Sequence, residues 1–223
     1  MTMRAVATAV ALLFWTAAPT SALEFGLHPN NSETENAISA SGSIVPGDAF
    51  AFQAYLTTLP QKPIVSIYLN SPGGSVQSSM ELGRIIYKLK IRTYVVGDKV
   101  RCSSACTKVF IAGRDRETDK PFRVKSTDAQ LRFHNFTPVL EDKVFAKADA
   151  VAMDERAQKT ILTLALYLYE VGSNLEYLGY GLKSEKMITM SNSDALANGI
   201  DILDTKTGKI TKAAAYQQSQ PKP

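Results

Sequence analysis

A strand-to-helix junction in the first third of the chain constrains the fold most strongly. The nearly continuous apolar run Ile64–Leu69 has the length and β-branched character of a strand that is buried on both faces. The turn Asn70–Ser75 follows it and carries Gly73 and Gly74. After the turn, Val76–Leu89 repeats apolar residues at spacings of three and four, which is typical of an amphipathic helix. This sequence of patterns indicates an α/β fold with parallel strands.

Strand and helix patterns alternate along most of the chain. We predict strands at Ala37–Val45, Arg92–Gly97, Gln130–His134 and near Ile200, and helices after Pro46, at the Ser104 segment, over 143–171 and around Ala195. With 223 residues, 45% of them hydrophobic, the chain suits one domain with a real core. We place that single domain at 37–210, after an extended segment 23–36 and before a disordered tail 211–223.

The first 22 residues have the pattern of a secretory signal peptide. Arg4 precedes the uncharged apolar run Ala5–Ala18, and small residues follow at Thr20–Ala22. The run is too short for a comfortable membrane span, although a retained anchor is the alternative. We therefore expect an exported, soluble mature protein.

Charge and cysteine content exclude several classes of function. The net charge of +4 is spread along the chain without a Lys/Arg block, so we expect no nucleic-acid partner.

Cys102 and Cys106 are the only cysteines, and export favours a disulfide between them. In a helical turn their Cα atoms would be roughly 6 Å apart, within disulfide range. Two thiols with two distant histidines do not form a zinc site, and we expect no metal and no cofactor.

Two serines between the cysteines are candidate nucleophiles. Ser103 and Ser104 precede the apolar run Val109–Ala112, and a helix beginning at Ser104 would present free N–H groups to an oxyanion. Either serine is also an ordinary helix cap. His134 ends a predicted strand, and we expect the glycine turn, the serine and this histidine to meet at one edge of a parallel sheet. Such a cluster supplies an oxyanion hole, a nucleophile and a base.

The motifs resemble those of the ClpP-type serine peptidases. Asn70–Val76 is similar to the glycine turn of that family, and Ser104 lies as far before Gly113 as the family's nucleophile lies before the glycine closing its helix. Leu131–His134 resembles the strand of the catalytic histidine, and Ala195–Asp201 resembles the closing helix-and-strand motif. The resemblance implies a ClpP/crotonase-like spiral of β-β-α units.

The same resemblance implies roles for individual residues. Ser104 is the nucleophile, and choosing Ser103 would break the spacing to Gly113. His134 is the base, and the N–H groups of Gly74 and Ala105 hold the oxyanion.

The third member of the triad departs from the family pattern. Lys183 stands where the family has its aspartate, so Glu185 is our first candidate for the acid, ahead of Asp201 and Asp142. Related signal-peptide peptidases use a Ser–Lys dyad instead. Lys108, one turn beyond Ser104, or Lys183 would then be the base.

The signal peptide and the paired cysteines resemble an exported, periplasmic bacterial branch of the family. The ATP-driven unfoldases that feed ClpP are cytosolic, so we expect cleavage of peptides or unfolded segments without an ATPase partner. The helix 143–171 occupies the place that builds ClpP rings, which implies a possible homo-oligomer. The alternative is a catalytically inactive ClpP-like peptide-binding or scaffold protein. Acyl-CoA chemistry, known on the shared crotonase scaffold, fits export poorly.

Overall fold

The computed structural model describes residues 22–135, 147–183 and 186–213 as a mixed α/β chain. The strands are β1 Glu24–Leu27, β2 Glu35–Ser41, β3 Ile64–Asn70, β4 Arg92–Val95, β5 Arg101–Ser103, β6 Arg123–Ser126, β7 Gln130–Phe133, β8 Ile188–Thr189, β9 Asp201–Leu203 and β10 Ile210–Thr211. The helices are α1 Asp48–Thr57, α2 Val76–Leu89, α3 Cys106–Ile111, α4 Lys147–Glu170, α5 Glu176–Leu182 and α6 Asn192–Ala197. The expected α/β class is present, and the spiral of β-β-α units stays a prediction.

Two sheets carry these strands. The larger has seven strands in the order β1-β2-β3-β4-β6-β9-β10, with five parallel strands between two antiparallel edge strands. The smaller has the order β5-β7-β8, in which β5 is parallel to β7 and β8 is antiparallel to β7. The glycine turn follows β3 of the larger sheet, whereas Ser104 and His134 follow strands of the smaller one. We had expected the three features to share one sheet edge. That prediction is wrong, because they meet where the two sheets adjoin.

Ser71 joins the two sheets at that place. Its N–H donates to the carbonyl of Arg101 at 2.8 Å, and its carbonyl accepts from the N–H of Ser103 at 3.0 Å. The Ser71 hydroxyl also accepts from the N–H of Gly73 at 3.1 Å. These bonds hold the glycine turn against β5, the strand that leads into Ser104.

The helix α2 buries the middle of its predicted apolar face in the core, whereas Leu89 at the end of that face is 51% exposed. Leu82 and Ile86 of α2 and Ile67 of β3 are fully buried in the core. Burying each such side chain stabilises the fold by ~1.5–3 kcal/mol before entropy is counted. At the start of α2, the hydroxyl of Ser75 accepts from the N–H of Ser78 at 3.2 Å, as an N-cap does. The glycine turn is thereby fixed from both sides.

The larger sheet extends on both sides beyond the domain limits 37–210 that we predicted. In the expected extended segment, β1 pairs antiparallel with β2, and β2 begins at Glu35, before the predicted start at residue 37. At the other end, Thr211 belongs to β10. Residues 1–21 and 214–223 lie outside the described residues, so the signal peptide and the tail stay predictions. Across 22–135, 147–183 and 186–213, no helix has the length and apolar character of a membrane span.

Candidate active site

Ser104 lies at a sharp turn between β5 and α3. Its φ of +53° is in the left-handed region, which a residue with a side chain rarely occupies. The sequence predicted a helix beginning at Ser104, but α3 begins at Cys106 with Ala105 as its N-cap. The left-handed residue is what separates strand from helix, and it leaves the Ser104 side chain half-buried at the corner. A strained strand-to-helix turn of this kind presents a nucleophile to substrate.

The expected disulfide encloses this turn. Cys102 and Cys106 are bonded, with a Cα–Cα distance of 5.2 Å, and both side chains are fully buried. The two cysteines do not share a helical turn, because Cys102 is in β5 and Cys106 is the first residue of α3. The bridge therefore closes the corner around Ser103, Ser104 and Ala105.

Ser103 is placed too deeply to meet a substrate. It is 3% exposed, and its buried hydroxyl has no hydrogen-bond partner among the described residues. The Ser103 hydroxyl is therefore closed to a substrate, whereas the half-buried Ser104 can be reached. This difference in exposure favours Ser104 as the nucleophile.

His134 is placed beside Ser104 by the register of the smaller sheet. The parallel pairing of β5 with β7 sets Ser103 opposite Arg132, and the N–H of Ser104 donates to the carbonyl of Arg132 at 2.8 Å. Just beyond this pair, Nε2 of His134 lies 2.8 Å from Oγ of Ser104. That is the hydrogen-bond distance a serine and its general base require.

The second ring nitrogen of His134 fixes the proton arrangement. Nδ1 lies 2.7 Å from the carbonyl oxygen of Asn135. A carbonyl oxygen only accepts hydrogen bonds, so Nδ1 carries the proton and donates it. In the neutral ring Nε2 is then the unprotonated nitrogen, which accepts from the Ser104 hydroxyl. This tautomer is the one that can deprotonate Ser104.

The structure leaves the identity of the acid to prediction. Glu185 and Asp142 lie outside the described residues. Asp201 is bound elsewhere, because its carboxylate accepts from Nζ of Lys212 and from the N–H of Ala213, both at 2.8 Å. Asp201 is therefore a poor candidate for orienting His134.

The glycine turn lies in direct contact with the Ser104 corner. A Cβ built on Gly73 would be 2.5 Å from the carbonyl oxygen of Ser103 and 3.0 Å from the backbone nitrogen of Ala105. Gly73 has a φ of +100° and Gly74 a φ of +142°, conformations that favour glycine. Only glycine permits this approach of the two backbones.

Hydrogen bonds to Ile44 orient the N–H of Gly74. The carbonyl of Gly73 accepts from the N–H of Ile44, and the N–H of Ser75 donates to the Ile44 carbonyl, both at 2.8 Å. These two bonds form a parallel bridge between Ile44 and Gly74. In such a bridge Gly73 and Ser75 make the hydrogen bonds, and the N–H of Gly74 between them points away from Ile44. The approach of Gly73 to Ala105 brings together the two segments that carry the predicted oxyanion donors, Gly74 and Ala105.

Lys108 is a buried cation beneath the nucleophile. It is 6% exposed, and its Nζ lies 3.4 Å from the carbonyl oxygen of Ser104 and 3.3 Å from Oγ1 of Thr107. Burial lowers the pKa of the Lys108 ammonium to about 8. Lys108 contacts the Ser104 carbonyl, whereas His134 contacts the hydroxyl, so the geometry favours His134 as the base. Lys183 is exposed, with its Nζ 4.3 Å from the ring centroid of Tyr180.

Three side chains that the sequence did not single out support the short helix α3. The hydroxyl of Tyr167 donates to the carbonyl of Lys108 at 2.6 Å, and that of Tyr177 donates to the carbonyl of Thr107 at 3.0 Å. Oγ1 of Thr93 donates to the carbonyl of Phe110 at 2.7 Å. Carbonyls near a helix end lack partners within the helix, and these hydroxyls supply them. For Tyr167, the available signal was its place between the apolar residues Leu166 and Leu168 of the predicted helix 143–171.

In 22–135, 147–183 and 186–213, no group of three or more His, Cys, Asp or Glu side chains is placed to hold a metal ion.

Comparisons with known proteins find matches among solved structures alone. No protein-family model matches the chain, and no curated protein matches its sequence. Among the solved structures that match is a point mutant of ClpP1 from Listeria monocytogenes, at 17% sequence identity. The match covers 78% of this chain and 94% of that chain, with a TM-score of 0.49. A similarity this weak does not extend to activity, substrates or partners.

Proposed function

We propose that the chain is a serine peptidase of the ClpP-like type, with Ser104 as nucleophile and His134 as base. The observation that carries this proposal is the 2.8 Å contact between Oγ of Ser104 and Nε2 of His134. The contact between Nδ1 and the Asn135 carbonyl supports it, because it leaves Nε2 unprotonated.

The mechanism follows the placement of these groups. Oγ of Ser104 attacks the peptide carbonyl while its proton passes to Nε2 of His134, and the carbonyl oxygen becomes an oxyanion. The N–H groups of Gly74 and Ala105 stabilise the oxyanion, each by ~3 kcal/mol. His134 returns the proton to the leaving amine, and a water molecule, deprotonated by the same nitrogen, hydrolyses the acyl-enzyme.

The Asn135 carbonyl takes over one task of a triad acid. It orients the imidazole and selects its tautomer, which an aspartate does in the usual triad. Glu185 remains the proposed carboxylate that would stabilise the imidazolium formed during the reaction. A carbonyl dipole stabilises that cation less than a carboxylate does. A substitution at Glu185 would remove the carboxylate's contribution alone, because the Asn135 carbonyl belongs to the backbone.

The proposed substrates are peptides or unfolded segments, cleaved after export to the periplasm and without an ATPase partner. A homo-oligomer through α4 is part of the proposal. Leu162, Leu166 and Tyr169 of α4 are 60%, 60% and 62% exposed. Their spacings of four and three residues place them on one face of the helix. Such an apolar face is typical of a helix that contacts another subunit.

An active-site probe tests the proposal. We expect a fluorophosphonate to label the purified mature protein and the Ser104→Ala variant to remain unlabelled. Ser103→Ala is the matched control, because it removes the neighbouring, buried hydroxyl, and it should label like the wild type. Equal labelling of wild type and Ser104→Ala would exclude Ser104 as the nucleophile. No labelling at all would favour the inactive peptide-binding protein.

A further inference from the structure

A cavity of about 440 Å³ lies between the start of α2 and the middle of α4. Val76, Met80 and Leu164 give it an apolar lining, and Thr163 adds a hydroxyl-bearing wall. Met80 and Leu164 are 6% and 0% exposed and belong to the packed core, so the half-buried Val76 has most of the accessible apolar surface of the three. The volume is enough for one or two large side chains of a bound molecule.

The lining of this cavity begins two residues after a proposed oxyanion donor. Val76 follows Gly74 by two residues, so its Cα lies within about 7.6 Å of the glycine's Cα. A peptide whose scissile carbonyl is held by the N–H of Gly74 advances by about 3.3 Å per residue when extended. Two or three extended residues therefore cover the distance that separates Gly74 from Val76.

Two cations stand at the cavity, and none of its described lining residues carries a carboxylate. Arg156 and Lys159 of α4 belong to the lining and are exposed to solvent, and their spacing of three residues sets them side by side. The carboxylate of Asp154 on the same helix accepts from Nε2 of Gln158 at 2.7 Å. The amide of Gln77, another lining residue, donates to Glu81 at 3.0 Å. Both carboxylates are thus hydrogen-bonded within their own helices. Glu155, four residues before Lys159, is exposed and is not a lining residue.

We infer that this cavity is a substrate subsite for an acidic side chain. The apolar lining takes the methylene groups of a glutamate, and Arg156 and Lys159 pair with its carboxylate. The inference rests on the proposed peptidase function and adds to it a preference for peptides with Glu or Asp close to the cleaved bond.

A series of fluorogenic peptides tests the preference. Each peptide carries Glu, Gln or Lys at one position, scanned from three residues before the scissile bond to two after it. At one position we expect kcat/KM to fall in the order Glu, Gln, Lys, by about twofold to fivefold for each charge, the usual range for exposed ion pairs. The double variant Arg156→Glu/Lys159→Glu should reverse this order at the same position.

The matched control changes the same charge elsewhere. Lys88 and Arg116 are exposed, and Lys88 lies about 18 Å from Val76 along the axis of α2. The variant Lys88→Glu/Arg116→Glu should keep the wild-type order. If both double variants shift the order equally, net charge rather than the cavity would be responsible, and the inference would be overturned.

A binding experiment separates this inference from the proposed function. With Ser104→Ala protein, fluorescence anisotropy should show tighter binding of the Glu peptide than of the Lys peptide, whether or not the wild type cleaves either. Equal affinities would overturn the subsite even if the fluorophosphonate labels Ser104. Preferential binding without labelling would support the subsite and contradict the peptidase.

Discussion

Gly73 lies so close to Ala105 that a Cβ on the glycine would be 3.0 Å from the backbone nitrogen of Ala105. The same Cβ would be 2.5 Å from the carbonyl oxygen of Ser103, at a φ of +100° that disfavours any side chain. The glycine turn and the nucleophile corner are therefore packed backbone against backbone.

From this contact we predict that Gly73→Ala lowers kcat/KM by on the order of a hundredfold, because the added methyl group displaces one oxyanion donor. Gly179→Ala is the control, since a Cβ on Gly179 meets no atom within 4 Å. Peptide hydrolysis and thermal melting would be measured for both. A Gly73→Ala protein that is folded and fully active would contradict the predicted oxyanion hole.

The disulfide is expected to support both stability and activity. Its loop is short, with a sequence separation of 4. The chain-entropy model assigns such a loop only about 2 kcal/mol of the free energy of unfolding. We predict that Cys102→Ala/Cys106→Ala loses that amount in urea unfolding and loses activity as well, because the left-handed turn at Ser104 is no longer closed. Unchanged activity in a destabilised variant would show that the corner holds its shape without the bridge.

Tyr167 is predicted to position α3 through its hydroxyl. Burial raises the pKa of this phenol, so it stays protonated and donates to the Lys108 carbonyl. Tyr167→Phe leaves that carbonyl buried without its partner and should cost ~1–3 kcal/mol in the free energy of unfolding. Tyr169→Phe removes a hydroxyl from a side chain that is 62% exposed and should change stability little. Equal effects of the two substitutions would argue against the positioning role.

Lys108 is predicted to make stability depend on pH. Burial lowers its pKa from 10.5 in the unfolded chain to about 8 in the folded one, so its charge destabilises the fold below pH 8. The penalty fades as pH rises from about 8 to 10.5, because the folded protein releases the proton first. The stability of the wild type relative to Lys108→Met should therefore rise between pH 7 and pH 10, by up to about 3 kcal/mol.

Urea unfolding of both proteins at the two pH values measures this difference. Burial also lowers the pKa of Lys125 to about 8, but Lys125 is present in both proteins and cancels from the comparison. A difference in the free energy of unfolding that stays constant with pH would contradict the prediction.

Elements with a clear apolar period were predicted from the sequence, and elements stabilised by distant partners were not. The apolar spacing of three and four residues predicted the location of α2, and the continuous apolar run Ile64–Leu69 predicted β3. The strand β6 was missed because its Arg123 and Lys125 suit a surface. In the structure Arg123 is 3% exposed and donates to the carbonyls of Val171 and Gly172 at 3.1 and 3.2 Å. Such partners, about fifty residues away, leave no local pattern.

The candidate site was predicted as a set of residues but not in its local geometry. Strand and turn patterns predicted that His134 lies near Ser103 or Ser104, and the resemblance in the spacing to Gly113 selected Ser104. The left-handed backbone of Ser104 was not predictable, because a serine at φ +53° is held there by its surroundings. Nor was the partner of Nδ1, since it is a backbone carbonyl and every residue at position 135 would provide one.

The pairing of β5 with β7 also determines where the chain tolerates changes of length. The distance from Ser104 to His134 depends on the alignment of two short strands and not on the chain between them. Residues inserted into the exposed turn at 116–120 would leave that distance unchanged. One residue inserted within β5 or β7 would shift the alignment by about 3.3 Å and turn the following side chains to the opposite face. Surviving length variants of this protein should therefore differ in their loops and keep these two strands intact.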